Sequence, residues 1–322
     1  MSNKALLERF DAWRRAHRLL ALATVISTAG STYTKAGQRL LVTDAGDYQG
    51  LVSGGCLEGD LATHAGQVIT SGTARIVTYD LRPAHDELFG LGIGCDGLLR
   101  ILLQRLTPAD AYEPFATIAA SLRGDAPVSC KLVVGEHGEL PLGTTLIGAG
   151  DDSAHSGLAK SEVLELKLRP LPCLLVVGAG QDAVPVVALA DLLGWRVTVV
   201  DHRPAYLALP AFAVADSRVA APAADLAQSV PLSTFAAAIV MSHHLATDRS
   251  YLAVLAGSSV PYVGLLGPPG RRDRLLRDLG DDGVALAGRL HGPAGLDIGA
   301  DSPESIALSI LAEIHAISSA HR

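Results

Sequence analysis

The chain has 322 residues, about twice the usual size of one domain, so two domains with separate cores are expected. Hydrophobic residues make up 49% and charged residues 18%, which places it with compact proteins and excludes a disordered composition. A formal charge of −7 without any Lys/Arg run argues against nucleic acid as a partner, and no apolar run reaches the roughly 18 residues that cross a bilayer.

The first element is an amphipathic helix within Met1 to Leu20, with Leu6, Leu7, Phe10 and Trp13 on its apolar side. No apolar core followed by a cleavage site is found there, so it reads as an ordinary helix. Leu19 to Ser27 is strand-like and breaks into a loop, Gly30-Ser31-Thr-Tyr33-Thr34-Lys35-Ala-Gly37-Gln-Arg39, before a second strand at Leu40 to Thr43. The rhythm recurs at Gln49 to Val52, which runs into Ser53-Gly54-Gly55-Cys56-Leu57-Glu58 and a helix over Leu57 to Thr70. This places Cys56 at a helix N-terminus behind two glycines. Backbone N–H groups there favour thiolate over thiol, and glycines leave room for a ligand, so Cys56 is the leading nucleophile candidate. Cys95 follows in a second glycine-dense loop, Gly92-Ile-Gly94-Cys95-Asp96-Gly97, with a strand after it at Leu98 to Leu106. Asp96 disfavours a thiolate at Cys95 by like-charge repulsion and ranks it below Cys56. The alternative for each cysteine is a small residue in a tight turn.

Only four cysteines are present, without CxxC or any close pair, so neither a zinc site nor a disulfide framework is indicated, and a reducing cytoplasm fits. Cys130 and Cys173 fall in apolar strands and are expected in the core. Gly135 to Ser161 lacks periodicity and marks the domain boundary, taken as 1–155 and 156–322.

From Cys173 an apolar strand enters Gly178-Ala-Gly180-Gln181-Asp182-Ala183, a helix to Leu193 and a β-branched strand ending at Asp201. Strand, glycine turn, helix, strand and terminal acid are the order of a βαβ dinucleotide fold. Gly178 permits the turn, Gly180 lets backbone approach a pyrophosphate, and Asp201 stands where an acid accepts from a ribose hydroxyl. A doubly wound domain without a nucleotide is the alternative. Further alternation follows: a strand at Ala236 to Ser242, a helix capped by Thr247 to Ala256, a strand at Pro261 to Leu266 and a helix at Arg271 to Leu279. His243, just past a strand end, is a candidate for the ligand edge of the sheet; simple turn chemistry competes with that role. Pro303 and Glu304 open a last helix after the glycine-rich 292–299 segment. The fold class is therefore α/β: a C-terminal Rossmann-type doubly wound parallel sheet plus a smaller N-terminal mixed α/β domain.

Taken in order, Gly30 to Arg39, Ser53-Gly-Gly-Cys56-Leu-Glu58, Gly92 to Gly97, Val177 to Asp182, Val200-Asp-His-Arg-Pro204, Met241-Ser-His-His244, Thr247-Asp-Arg249, Tyr262 to Gly267 and Gly295 to Gly299 resemble the XdhC/CoxI family of molybdenum-cofactor accessory proteins. Tyr33-Thr34 and Gly267-Pro268-Pro269 bring the chain nearer its CoxI-like branch.

The resemblance implies a chaperone that binds molybdenum cofactor (molybdopterin or its cytosine dinucleotide form), supports its sulfuration with a cysteine desulfurase and inserts it into an apo molybdenum hydroxylase of the xanthine dehydrogenase or CO dehydrogenase type. On that reading Cys56 and Cys95 approach the metal or carry sulfur. Glycine-loop amides with Lys35 and Arg39 hold the phosphate, and Gly30, Ser31, Ser53, Gly54, Gly55, Glu58, Gly94 and Asp96 line the site. Gly178, Gly180, Gln181, Asp201 and His243 line a cleft for NAD(P), another nucleotide, or the nucleotide half of the cofactor. A homodimer is the expected assembly. The rivals are an NAD(P)-binding oxidoreductase, weakened by the lack of a Tyr-x-x-x-Lys pair, and a nucleotide-sensing regulatory module.

Overall fold

A computed structural model describes residues 2–81, 97–135, 138–148, 158 and 160–320. The chain divides into two units, Met1–Pro170 and Leu171–Arg322. The boundary thus falls later than the expected 155/156, and the reason is strand pairing: Val163–Leu168 is hydrogen-bonded along its length to Val128–Val133 and belongs to the first unit.

In the first unit, helix α1 (Asn3–Arg15), capped by Ser2, leads to β1 (Leu20–Gly30), β2 (Arg39–Thr43) and β3 (Tyr48–Gly50). Helix α2 (Glu58–Ser71), β4 (Arg75–Asp80), β5 (Gly97–Leu106), α3 (Phe115–Arg123), β6 (Val128–Val133), β7 (Thr145–Ile147) and β8 (Val163–Leu168) complete it. The five-stranded sheet has the order β3-β2-β1-β5-β4 and the small sheet β7-β6-β8; the pairings are antiparallel. Alternation of side chains along the strands divides the burial. Ala21, Ala23, Val25, Leu40, Val42, Ile101 and Leu103 pack with Leu61, Ala65 and Val68 of α2, while Ile26 and Leu102 pack with Leu132. Strand β7 lies inside the 135–161 stretch that shows no period in the sequence; three residues are too few to display one.

The second unit contains β9 (Cys173–Val177), α4 (Ala183–Leu192), β10 (Arg196–Asp201), β11 (Ser217–Ala220), β12 (Ala237–Val240), α5 (Leu245–Ala256), β13 (Val263–Leu265), α6 (Pro269–Leu279), β14 (Leu290–His291) and α7 (Pro303–Ala320). All strands are parallel in the order β11-β10-β9-β12-β13-β14, a doubly wound sheet whose order reverses between β9 and β12. Buried on both faces, its central strands are continuous apolar runs, which is why they stand out in the sequence. Cys130 and Cys173 are buried in β6 and β9, as expected. Thr247 does not cap α5; His244 does, its ring accepting from the Thr247 N–H at 3.4 Å.

Helix α7 is held by apolar packing of Ile310, Leu311 and Ile314, each contributing about 2 kcal/mol, and by one carboxylate. Glu313 Oε2 accepts from Tyr262 Oη (2.6 Å) and Gly295 N (2.8 Å), while Oε1 lies 3.2 Å from His291 Nδ1, and the His291 and Tyr262 rings stack. Burial first, then Glu313, drives the Tyr262 hydroxyl far above its ordinary pKa, so it stays a donor. Glu313→Ala leaves the Tyr262 hydroxyl and the Gly295 amide without an acceptor, at about 3 kcal/mol. Calorimetry of the variant should show the transition of this unit lowered by roughly 6–12 °C; an unchanged transition would show that Glu313 is not needed to dock α7.

Candidate functional site

Antiparallel pairing gathers the ends of β1, β3 and β4 and the starts of β2 and β5 at one edge of the five-stranded sheet. Gly30 pairs with Gly97, and a Cβ on Gly97 would come within 2.6 Å of the Ser31 carbonyl oxygen, so backbone meets backbone there. Thr34 Oγ1 donates to the Val52 carbonyl at 2.8 Å and ties the 30–39 loop to the segment that enters Ser53.

The centre of this edge is Glu58, fully buried although it is the first residue of a helix. Its Oε1 accepts from the amides of Val52 (3.0 Å) and Ser53 (2.8 Å), and its Oε2 accepts from Ser53 Oγ at 2.5 Å. Ser53 Oγ then accepts from the amides of Gly55, Cys56 and Leu57 at 3.1–3.2 Å. Burial alone would raise the Glu58 carboxyl, but the Ser53 hydroxyl and these amides outweigh it and hold the group below its ordinary value. The loop is wound around an internal anion, and the Cys56 thiol is exposed on its outer side. Gly54 and Gly55 have nothing within 4 Å of the place a methyl would take, and Gly55 has φ +105°, so the space beside the thiol is open and the turn requires glycine.

Two expectations are modified. Cys56 precedes the helix by two residues, with Leu57 at the cap, and the amides of residues 55–57 face Ser53 rather than an external phosphate; Gly54 is the loop amide without a protein partner among the described residues. Lys35 is exposed near this edge, but Arg39 alternates onto the sheet face opposite α2. There its Nε is buried without a partner, and burial lowers its pKa, opposed by nearby Cys130. Gly94, Cys95 and Asp96 lie outside the described residues.

Sequence reasoning missed a polar cluster on the first turns of α2: Tyr79 Oη donates to Asp60 Oδ2 at 2.7 Å, and His64 Nε2 is 3.5 Å from the same oxygen. The acid and histidine at i and i+4 were the available signal. No group of three or more His, Cys, Asp or Glu that could hold a metal ion is found among the described residues.

In the second unit Gly178, Gly180, Gln181, Asp201 and His243 converge at the carboxyl edge of the parallel sheet. Gly178 has φ +111°, and a Cβ there would lie 2.6 Å from the Met241 carbonyl, so the β9–α4 turn rests directly on the end of β12. Asp201, 1% exposed, is already engaged: Oδ2 accepts from Ala179 N and Arg203 Nη2, and Oδ1 from Arg203 N and Nε, all at 2.8–2.9 Å. A ribose hydroxyl would have to share these oxygens with Arg203, whose guanidinium lies 3.8 Å over the Tyr206 ring. Burial opposes ionisation of Asp201, yet Arg203 and the Ala179 amide hold its pKa below the usual range.

His243 takes φ +61°, uncommon for a residue other than glycine, and its Nε2 is 2.7 Å from Asp182 Oδ2 across the crevice. Asp248, also 1% exposed, fixes this loop by accepting from Ser242 N, Ser242 Oγ and Arg271 Nη2. Asp182, Arg203 and Asp248 lie in segments that carry the resemblance, but the sequence assigned them no role, and Arg271 carried no signal beyond its charge.

Residues 13–80 match the family described as XdhC and CoxI, and residues 174–314 match the XdhC Rossmann domain. The chain is 31% identical over 308 residues to a probable xanthine dehydrogenase subunit of Bacillus subtilis, covering 91% of each chain. It is 23% identical over 298 residues to the molybdenum cofactor insertion chaperone PaoD of Escherichia coli, covering 92% of this chain and 82% of that one. A crystal structure described as a xanthine dehydrogenase from Bacillus halodurans superposes with a TM-score of 0.79 at 26% identity, over 100% of this chain and 97% of the other.

The carboxylate at the centre of the Cys56 loop gives a pH signature. Because the folded pKa of Glu58 is depressed, its contribution to stability is complete above the unfolded carboxylate pKa and is lost as pH falls through the folded one. Glu58→Gln should cost about 2 kcal/mol near neutrality and flatten the acid limb of the stability profile in urea titrations. A variant as stable as the parent, with the same acid limb, would remove Glu58 as the organiser of the loop.

Proposed function

The chain belongs to the XdhC and CoxI family, and from that premise we propose that it binds molybdenum cofactor as cargo and delivers it to an apo molybdenum hydroxylase. The observation that carries the reading is the exposed Cys56 thiol on a loop fixed from beneath by buried Glu58. A thiolate is a soft ligand suited to molybdenum, and a rigid presenting loop lets it be met and released without reorganising the fold. The likeness to a relative named as a molybdenum cofactor insertion chaperone, over 92% of this chain and 82% of that one, supports it.

On this reading the client is a hydroxylase of the xanthine dehydrogenase type, with the CO dehydrogenase type as the alternative. The cargo is molybdopterin or its cytosine dinucleotide form, and delivery takes place in the cytoplasm. Cys56, joined by Cys95, approaches the metal while sulfuration proceeds: sulfide enters and one oxo ligand leaves as water, without change in the metal's oxidation state. A cysteine desulfurase supplies the sulfur, a thiol reductant releasing sulfide from its persulfide. The protein acts as a homodimer. Gly30, Ser31, Lys35 and Gly54 are the groups of the loop edge left to meet the cargo.

A second reading concerns the Rossmann unit. The amides of Gly180, Gln181 and Asp182, at the start of α4, have no partner among the described residues and suit a phosphate. We infer that the crevice holds NAD(P) or another nucleotide, which serves regulation rather than turnover.

Cys56→Ala tests the main reading. Mixed anaerobically with cofactor and purified apo-hydroxylase, the variant should leave the client inactive while keeping the parent melting profile. Full activation would take Cys56 out of the mechanism.

A further inference from the structure

The turn after β9 and the turn after β12 meet twice at the carboxyl edge of the parallel sheet. At the strand ends Gly178 rests on the backbone of Met241 and Ser242, where a Cβ would lie 2.6 Å from one carbonyl oxygen and 2.8 Å from the next amide. Beyond the strand ends His243 Nε2 lies 2.7 Å from Asp182 Oδ2. Solvent reaches both side chains of this second contact, 58% of His243 and 25% of Asp182. His243 makes it from a left-handed backbone, φ +61°.

The place of the Asp182 carboxylate sets this contact apart. Asp182 is the N-cap residue of α4, and an aspartate there usually accepts from the first free amides of its own helix. Here its backbone is helical, φ −71° and ψ −17°, and its side chain makes no cap hydrogen bond. The carboxylate leans over the glycine turn instead: a Cβ on Gly180 would come within 2.5 Å of Asp182 Oδ1 and 3.7 Å of the His243 ring. The space that such a glycine clears for a pyrophosphate is thus taken by an acid of the protein itself. The amides of Gly180, Gln181 and Asp182 meanwhile stay unpaired among the described residues.

A carboxylate and a phosphate repel and do not share that space. While His243 holds it, the carboxylate covers the turn; once released, it can rotate towards solvent. The hold is light, because exposed pairs of this kind contribute little to stability. A ligand that offers its phosphate to three free amides can break it.

We propose that the Asp182–His243 contact is an autoinhibitory latch on the crevice. In the free protein the Asp182 carboxylate occupies the phosphate position of the glycine turn, and a nucleotide phosphate enters as the contact parts. The inference rests on the nucleotide reading of the crevice and adds the means of its regulation. The latch acts on phosphorylated ligands, since a nucleoside has no group that competes with Asp182.

The experiment is isothermal titration of the full chain, of Asp182→Asn and of His243→Gly with ADP, CDP and adenosine. Asparagine keeps the shape of the aspartate and removes its charge, while glycine suits the left-handed backbone and releases the aspartate. Asp182→Asn should bind ADP and CDP about tenfold more tightly than the parent, the gain expected where the closed form holds roughly nine molecules in ten. His243→Gly should bind them about threefold more tightly, because the freed carboxylate still repels the phosphate from a greater distance. Adenosine should bind all three proteins equally. If Asp182→Asn binds ADP and CDP no more tightly than the parent, the latch is overturned and the nucleotide reading stands. A gain shared by adenosine also overturns it, since the effect would then lie away from the phosphate. Unchanged or weaker binding by His243→Gly does the same, because His243 would then screen Asp182 from the ligand rather than hold it in the ligand's place. Failure of all three proteins to bind ADP or CDP overturns the nucleotide reading and this inference with it.

Discussion

A carboxylate taken out of water must be surrounded by donors or it will not stay ionised, and the first unit is organised by satisfying that requirement at Glu58. The donors nearest in the chain are the backbone and side chain of residues 52 and 53, so the segment before α2 has to curl back over the helix start. Ser53, held by the acid, then gathers the next three amides. The Cys56 thiol, placed on such a loop, is outside the core but not free to wander. The helix N-terminus contributes as well, since a negative charge at the first turn is favoured by the peptide dipoles.

The second unit repeats the device with different residues. Asp201 collects the glycine turn through Ala179 and the chain beyond β10 through Arg203; Asp248 collects the turn after β12 and the start of α6 through Arg271. Two buried acids thus fix the loops on either side of the point where strand order reverses, which is where open parallel sheets receive their ligands. His243, in its left-handed conformation, is the one residue of this rim placed against local preference, and Asp182 holds it there.

How far the sequence reaches depends on the range of the interaction concerned. The apolar strands β9, β10 and β12, the glycine turn at Gly178 and the helices α4 and α7 are written in local periodicity and are read directly. The glycine-framed cysteine at residue 56 is also legible, because open space and a turn leave their mark in composition. What stays hidden is decided by partners distant in the chain. The pairing of β8 with β6 sets the unit boundary, the strand face on which Arg39 falls turns it from the cysteine loop, and Arg203 claims an acid that spacing alone assigns to a ribose. Glu58 is named by its motif, but nothing in the motif announces that its side chain points inward. The cap of α5 goes to His244 rather than Thr247 because the loop geometry, not residue preference, decides which side chain meets the first free amide.

The outer strands of the sheets have a bearing on life in a crowded solution. Strand β14 has two residues and β3 three, and β11, at the other rim of the parallel sheet, has four, with Arg218 among them. Both rims of the parallel sheet thus give an incoming extended chain little ladder to join, which is a usual defence against self-association, whereas β4 and β8, six residues each, leave longer rims on the antiparallel sheets.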